Sequence, residues 1–218
     1  RKAIKISLPV GFEHFVVCAA QITSTKIVAP LGIVAIAANS FGITAEALCY
    51  MPGYGIADAA TTLVGQGIGA KKENVAKYFA KISTMIGMVL MSAMAVVMFF
   101  AAPYIMAMLS ADAKVVALGT KILRIEMFAE PMYAASIVAS GALRGAGDTF
   151  VPSLMNFGSI WLVRMPLSYL LSLSMGLRGM WFAMCIELIF RGSIFLYRLF
   201  VLFEISYNNY LHIFLAFH

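Results

Sequence analysis

Residues 82–111 contain no charged side chain, and most of the segment is Met, Ala, Val, Ile, Leu or Phe. A helix needs only about 20 apolar residues to cross the hydrocarbon core of a bilayer. Lipid offers no partner to a peptide group, so such a segment must satisfy its own backbone by forming a helix. The segment therefore predicts a transmembrane helix, and the membrane is the solvent in which the rest of the chain must fold.

The composition of the whole chain agrees with this prediction. Hydrophobic residues make up 62% of the sequence and charged residues 12%, whereas soluble domains carry about 25% charged residues; the mean hydropathy is +0.90. Charges, Gly and Pro divide the apolar sequence into six predicted spans: 7–29, 34–68, 81–106, 114–142, 150–174 and 178–203. The chain is predicted to be an all-α polytopic membrane protein, a bundle of six transmembrane helices.

Pro52 and Pro131 bear on the shape of the second and fourth spans. The second span is too long for a straight crossing, and Pro52 removes a backbone donor beside the flexible Gly53. We therefore expect this helix to be bent or locally unwound at Pro52. Pro131 gives the same expectation for the fourth span.

The distribution of basic residues predicts the orientation in the membrane, because Lys and Arg concentrate on the cytoplasmic side. A cytoplasmic N-terminus places ten basic residues inside and five outside. The inside set is Arg1, Lys2, Lys5, Lys71, Lys72, Lys77, Lys81, Arg144, Arg191 and Arg198; the outside set is Lys26, Lys114, Lys121, Arg124 and Arg178. Both ends are expected in the cytoplasm, and the net charge of +6 reflects membrane orientation rather than nucleic-acid binding.

Several classes of protein are disfavoured by the same sequence. Cys18, Cys49 and Cys185 lie inside predicted spans without paired spacing, so neither a disulfide framework nor a zinc site is expected. Glycine-rich strings occur at residues 65–67 and 141–147, but neither lies between a strand and a helix as a nucleotide-binding loop requires. We expect no catalysis and no resident cofactor. The start of the chain lacks a signal-peptide pattern and an initiator Met, which is typical of a partial sequence.

Ionisable residues inside the spans are the candidates for function, since each costs at least about 2.5–3.5 kcal/mol at bilayer depth. They are Glu13, His14, Lys26, Glu46, Asp58, Glu126, Glu130, Arg164 and Glu187. Lys26 and Arg124 are expected to reach the interface with their long side chains. Glu13 and Gln21 share one face of the first helix. This face either lines a polar cavity or places Glu13 near the cytoplasmic interface.

The fourth span carries a second polar face, formed by Glu126, Glu130 and Tyr133. Pro131 leaves a carbonyl one turn back without its usual donor, and carboxylates beside loosened backbone are typical of cation or proton sites in transporters. The alternative is a structural network in which the two acids pair with Arg124 or Lys121. Both interpretations remain open from the sequence.

The second span carries Glu46 and Asp58, with Tyr50 and Tyr54 between them. A tyrosine facing a water-filled cleft offers an aromatic face to cations and a hydroxyl for hydrogen bonds. Tyr50, Tyr54 and Asp58 are therefore candidates for a substrate or cation pathway. The 15 methionines fit a binding wall that can repack, although packing accounts for most of them.

Short ordered motifs along the chain carry a family resemblance. Residues 141–149, GALRGAGDT, close the fourth span and resemble the turn after the tenth helix of multidrug and toxic compound extrusion (MATE) transporters. Other blocks follow in the family's order: residues 8–10 (LPV), 31–38 (LGIVAIAA), 51–56 (MPGYGI), 59–66 (AATTLVGQ) and 164–167 (RMPL). The resemblance covers roughly residues 6–203. In the turn at residues 141–149, Gly141, Gly145 and Gly147 are expected to allow tight packing. Arg144 and Asp148 are expected to stabilise this turn.

The resemblance implies a fold and a function. MATE proteins have twelve spans in two lobes around a central cleft, and this chain resembles only helices seven to twelve. The implied activity is efflux of organic-cation drugs by alternating access, coupled to a Na⁺ or H⁺ gradient, in the cell inner membrane. Its partners would be small organic cations, membrane lipid and the missing N-terminal lobe. Residues 1–203 form the expected lobe, and residues 204–218 are a divergent tail.

The chain departs from one branch of the family at its coupling site. That branch uses a Glu in the seventh helix and an Asp in the tenth, whose positions fall at Val17 and Tyr133 here. Another branch couples through an Asp in the first helix of the N-terminal half. This chain resembles that branch better, and the resemblance then implies that the coupling residue lies on the missing half. Two alternatives remain at this stage: a lipid-linked saccharide flippase of the same superfamily, and a non-transporting truncated remnant.

Overall fold

The computed structural model describes the backbone of residues 2–202 and the side chains of residue 11 and residues 15–200. Eight α-helices account for most of this range. They are α1 (Lys2–Val28), α2 (Ile33–Gly69), α3 (Glu73–Leu109), α4 (Ala113–Glu126), α5 (Glu130–Gly145), α6 (Phe150–Gly158), α7 (Met165–Met175) and α8 (Leu177–Tyr197). The predicted divergent tail, residues 204–218, lies outside the described residues.

The eight helices group into the six spans that the sequence predicts. Helices α4 and α5 form the fourth span and are separated by residues 127–129. Helices α6 and α7 form the fifth and are joined through a π-helical stretch, Ser159–Arg164; a second π-helical stretch, Arg198–Leu202, extends α8. No strand occurs among residues 2–202. The all-α polytopic fold is therefore confirmed.

Three helical segments are individually long and apolar enough to cross a membrane: Ile33–Gly69, Glu73–Leu109 and Leu177–Phe200. The fourth and fifth spans fall short of that length as single helices because each is interrupted near its middle. Helix α3 shows what the apolar surface faces, since Val89, Val97, Phe100 and Met108 are all more than 60% exposed. Large apolar side chains that point away from the protein interior are typical of a lipid-facing helix.

Pro52 and Pro131 act differently. At Pro131 the helix is interrupted as expected, with Glu126 ending α4 and Glu130 beginning α5. At Pro52 the helix is not locally unwound, because α2 runs through Pro52 without interruption; a bend at Pro52, the other expected outcome, stays a prediction. Gly53, the next residue, is buried against the Met91 thioether of α3. Close packing between α2 and α3 holds the helix together where one backbone donor is missing.

Helix α5 lies at the centre of the lobe. Every residue from Ala134 to Leu143 is buried, and the helix packs against α2, α3 and α8. Small Ala, Ser and Gly side chains make this possible, because they let the backbones of neighbouring helices approach closely. Helix α1 lies to one side and packs mainly against α6 and α7.

Candidate functional site

Three glutamates from three elements approach one another in the lobe interior. Glu46 comes from the middle of α2, Glu126 from the end of α4 and Glu130 from the start of α5. Glu46 is 8% exposed, and the other two are fully buried. Helix α2 packs against both α4 and α5, so the contact between these helices brings the acids together. We call Glu46, Glu126 and Glu130 the acidic cluster.

The helix break fixes where two of these acids stand. The turn between α4 and α5 is closed by backbone hydrogen bonds, from Ala129 N to the Glu126 carbonyl at 2.7 Å and from Tyr133 N to the Ala129 carbonyl at 2.9 Å. Pro131 occupies the first turn of α5, where its missing N–H removes no helical hydrogen bond. Glu130 stands at the N-terminus of α5, where the helix dipole favours a negative charge.

The carboxyl groups have few partners. The carboxyl groups of Glu46 and Glu126 are neighbours, and the Cys49 thiol is a neighbour of Glu130. No N–H or O–H group in the described part of the chain donates to either oxygen of Glu126 or to either oxygen of Glu130. Buried carboxylates normally accept several hydrogen bonds. These oxygens are therefore available to a proton or another positively charged group.

Three tyrosines lie next to the acidic cluster. The Tyr50 ring contacts the Tyr54 ring edge-on at 5.7 Å between centroids and the Tyr133 ring at 5.9 Å. The Tyr54 and Tyr133 side chains are also neighbours. Tyr54 is 49% exposed, so this aromatic row connects the buried acids with the surface of the lobe. Aromatic faces of this kind attract cations.

Two arginines and a fourth glutamate border the cluster. The Ser159 hydroxyl donates to Glu187 Oε1 at 2.6 Å, and Arg191 Nε lies 3.2 Å from the same oxygen. The Arg191 guanidinium also lies over the Tyr133 ring, 5.4 Å from its centroid. Arg164, at the end of the π-helical stretch, contacts the Met184 sulfur and is close enough for its charge to act on Glu46 and Glu126.

The sequence-predicted pathway residues divide into two groups in the structure. Tyr50, Tyr54, Glu126, Glu130 and Tyr133 come together. Gln21 and Asp58 are exposed, and no described contact links their side chains to this group. The side chain of Glu13 lies outside the described residues.

The alternative pairing of the acids with nearby basic residues is not formed. Arg124 instead donates its Nε to the Phe99 carbonyl at 3.1 Å and lies over the Phe99 ring, while Lys121 is exposed. Arg191 also differs from expectation. Its side chain lies in the lobe interior beside Glu187, so it does not belong in the cytoplasmic count, which becomes nine against five.

Sequence reasoning noted Glu46, Arg164 and Glu187 as charges within spans but did not place them at a site. It missed Cys49 and Arg191 altogether as neighbours of the acids. The spacing of Glu46 and Cys49, at i and i+3 on one helix face, is a signal that could have indicated Cys49. The proximity of Arg164 and Arg191 depends on how α7 and α8 pack, for which the sequence carries no local signal.

At the other end of α5, the glycine-rich turn is held by close packing. An added Cβ at Gly141 would lie 2.6 Å from the Ala57 carbonyl oxygen, and one at Gly145 would lie 2.3 Å from the Thr61 carbonyl oxygen. Gly147 adopts a positive φ of 88°, and Gly147 N donates to the Arg144 carbonyl at 2.9 Å. Asp148 forms an ion pair with Arg198 after α8, a partner that the sequence did not indicate.

The fold and the charged interior define the lobe of a polytopic helical membrane protein. The MatE family model matches residues 9–170, and the chain belongs to this family, whose members are integral membrane transporters rather than enzymes. It is 32% identical over 203 residues to the probable multidrug resistance protein NorM of Chromobacterium violaceum. It is 27% identical over 198 residues to the protein of the same name from Thermotoga maritima.

The alignments cover most of this chain but less than half of its relatives. They include 90% and 89% of this chain against 43% and 42% of the two NorM proteins. A solved Vibrio cholerae MATE transporter, VcmN, superposes with a TM-score of 0.84 at 15% identity over 90% of this chain and 45% of that protein. A Pyrococcus furiosus transporter of the MOP superfamily gives the same TM-score at 19% identity, over 92% of this chain and 44% of that one.

Proposed function

We propose that this chain is the C-terminal lobe, helices seven to twelve, of a secondary transporter that extrudes organic-cation drugs and toxic compounds. Transport proceeds by alternating access and is driven by a Na⁺ or H⁺ gradient. The observation that carries the proposal is the acidic cluster, which lies beside a helix break in a lobe of the MatE family. It has three buried carboxyl groups, and two of them have no N–H or O–H donor among the described residues.

The chemistry of the cluster supports a cationic cargo. Glu46, Glu126 and Glu130 provide negative charge, and Tyr50 and Tyr54 provide aromatic surface between this charge and the outside of the lobe. A lipophilic cation gains from both, because its charge meets a carboxylate while its flat body stacks on a ring. The relatives named probable multidrug resistance protein NorM support drugs as the cargo.

The proposal includes a second lobe as partner. The chain matches less than half of the length of its relatives, and alternating access requires two bodies that move against each other around a shared site. The N-terminal lobe of the same transporter is the natural second body. The excess of basic residues on one side supports an orientation with both ends of the lobe on the cytoplasmic side of the inner membrane, where an exporter meets its substrates.

The test is drug efflux by the complete transporter carrying Glu130→Gln. Because the substitution removes the charge and keeps the shape, we expect ethidium efflux from energised cells to fall roughly tenfold, the effect of losing about 1.4 kcal/mol of interaction. The amount of protein in the membrane should stay near the wild-type level. Glu73→Gln is the matched control, since Glu73 is a partly exposed acid at the start of α3, and it should leave efflux unchanged. Normal efflux with Glu130→Gln contradicts the proposal.

A further inference from the structure

A groove on the surface of the lobe lies between α3 and the turn that separates α4 from α5. It has a volume of about 350 Å³ and is lined by Ser92, Ala95, Val96, Phe99, Phe100, Met127, Phe128 and Pro131. Ser92 is the polar member of this set, and its hydroxyl donates to the Met88 carbonyl of its own helix at 2.5 Å. Phe100 and Phe128 are 68% and 72% exposed, so the groove has apolar walls and opens outward.

The apolar walls alone do not select an occupant. Lipid chains are as apolar as the groove, so no hydrophobic gain accompanies its filling inside a membrane. A lipid chain that enters from the bilayer costs little and gains little. Preference for one kind of molecule therefore depends on the polar groups at the edge of the groove.

Three basic side chains of α4 stand at this edge. The Arg124 guanidinium lies over the Phe99 ring, 5.1 Å from its centroid, and Arg124 Nε donates to the Phe99 carbonyl at 3.1 Å. The Phe99 ring in turn contacts the Phe128 ring at 5.8 Å. Lys121 lies about one helical turn from Arg124 and Lys114 two turns further, and both lysines are exposed. We call Lys114, Lys121 and Arg124 the basic row.

The basic row has no acidic partner in the part of the chain that the structure describes, since none of its three side chains forms an ion pair there. The Asp112 carboxylate precedes α4 and accepts the backbone N–H of Lys114 at 2.8 Å. Glu126 is the acid within α4, and it is fully buried in the acidic cluster. The surface beside the groove is therefore positively charged, which repels organic cations and attracts an anion.

The groove has the depth of a lipid chain. Lys81 is the last charged residue of α3, and a hydrocarbon core about 30 Å thick takes about 20 helical residues. A core that begins after Lys81 therefore ends about two residues beyond Phe99, which places Phe99 and Arg124 close to the level of lipid phosphate groups. From Phe100 to Ser92 the groove extends about 12 Å toward the middle of the bilayer, nearly the thickness of one leaflet of the core.

We propose that the groove and the basic row form a binding site for an anionic phospholipid. An acyl chain lies in the groove against Phe100 and Phe128, and the phosphate group lies at Arg124. Guanidinium groups bind phosphate oxygens through pairs of N–H groups, and Arg124 uses Nε alone within the described part of the protein. The flexible stems of Lys121 and Lys114 let their ammonium groups reach the charged headgroup. This inference does not depend on which cargo the transporter carries.

The test is native mass spectrometry of the complete transporter in detergent, with added phosphatidylglycerol or with phosphatidylcholine of the same acyl chains. The wild-type protein should bind phosphatidylglycerol more tightly. Lys121→Gln should weaken this binding about fivefold, the change that corresponds to about 1 kcal/mol per basic residue near an anionic lipid, and should leave phosphatidylcholine binding unchanged. Lys26→Gln is the matched control, because Lys26 is exposed at the end of α1, which packs mainly against α6 and α7.

A second pair of variants tests the groove itself. Val96→Trp should fill the groove and weaken phosphatidylglycerol binding, whereas Val97→Trp should not, since Val97 is equally exposed on α3 but does not line the groove. Both positions face outward, so the larger side chain should not disturb the fold.

Three outcomes overturn the proposal. The first is equal affinity of the wild-type protein for the two lipids, and the second is an equal loss in Lys121→Gln and Lys26→Gln, which would indicate unspecific surface charge. The third is a groove that holds the lipophilic cation tetraphenylphosphonium, with binding lost in Val96→Trp and strengthened in Lys121→Gln, which would assign it to a cationic cargo. None of the lipid readings depends on efflux, so failure of this proposal and failure of the proposed function are distinguishable.

Discussion

The two ends of α5 meet α2 in opposite ways. At the C-terminal end, Gly141 and Gly145 bring the backbone of α5 against the carbonyls of Ala57 and Thr61, and the Thr61 hydroxyl donates to the Gly141 carbonyl at 2.8 Å. At the N-terminal end, Glu130 is fully buried and neither of its oxygens has an N–H or O–H donor among the described residues. One end is closely packed and hydrogen-bonded, and the other holds groups that the packing leaves unsatisfied.

This difference indicates that the packing of α2 and α5 is stabilising at one end and costs stability at the other. Close backbone contact at the glycine end provides stability in lipid, where helix association depends on packing. The acidic end costs stability, because a buried polar group without a partner retains its desolvation penalty. Unsatisfied groups of this kind persist in native proteins mainly where they have a function. Substitutions at the two ends should therefore change the stability of the lobe in opposite directions.

The largest effect is expected from Gly145→Ala. A single Cβ at this position would lie 2.3 Å from the Thr61 carbonyl oxygen and 2.9 Å from its Cα, so α5 and α2 must separate. We expect a loss of about 3 kcal/mol or more in the free energy of unfolding, the upper range for overpacking. Thermal unfolding in detergent and abundance in the membrane measure it.

Gly55→Ala is the control for this prediction, since a Cβ there meets no atom within 4 Å. Alanine is favoured over glycine in a helix by about 1 kcal/mol, so the control variant should be as stable as wild type or slightly more stable. Equal stability of Gly145→Ala and Gly55→Ala would show that the glycine end is not closely packed.

A smaller effect of opposite sign is expected from Glu130→Met. The change replaces a buried carboxyl group that lacks N–H and O–H donors by an apolar side chain of similar length, so stability should rise by roughly 1–3 kcal/mol, the penalty of an unsatisfied buried group. Glu187→Met is the matched control. Glu187 is equally buried but bonded to Ser159 and Arg191, and its loss should destabilise the protein. Denaturation curves of the two variants should shift in opposite directions; a shared loss of stability would refute the contrast.

The smallest effect is expected from Thr61→Val. This substitution keeps the shape and removes the hydroxyl that donates to the Ala57 and Gly141 carbonyls at 2.8 Å. The expected loss is about 1 kcal/mol, the usual net value of one such hydrogen bond. Thr62→Val provides the comparison, because the exposed Thr62 hydroxyl bonds only within its own helix, to the Asp58 carbonyl at 3.0 Å. If the two variants unfold at the same temperature, the bond between α5 and α2 contributes nothing.

Much of the fold could be predicted because its signals are local. Each span ends where charge, Gly or Pro interrupts an apolar run, and the predicted limits of the fourth span, 114–142, fall within three residues of Ala113–Gly145. The interruption at Pro131 was predicted for the same reason. Pro52 is also a proline within an apolar span, but it does not interrupt its helix, because the packing of α2 against α3 keeps the helix continuous.

The sequence by itself determined that the chain lies in a membrane, that it is helical, where its spans end and which family it belongs to. Hydrophobicity, helix breakers and ordered motifs all act over short stretches of chain. It also placed Glu126, Glu130 and Tyr133 on one face. Only the tertiary structure decided that Glu46 is a neighbour of Glu126, that Arg191 pairs with Glu187 in the interior, and that Asp148 pairs with Arg198. The physical reason is that an acid's nearest partner depends on which helix faces bury against each other, and in lipid that choice is made by backbone packing between distant segments rather than by local sequence.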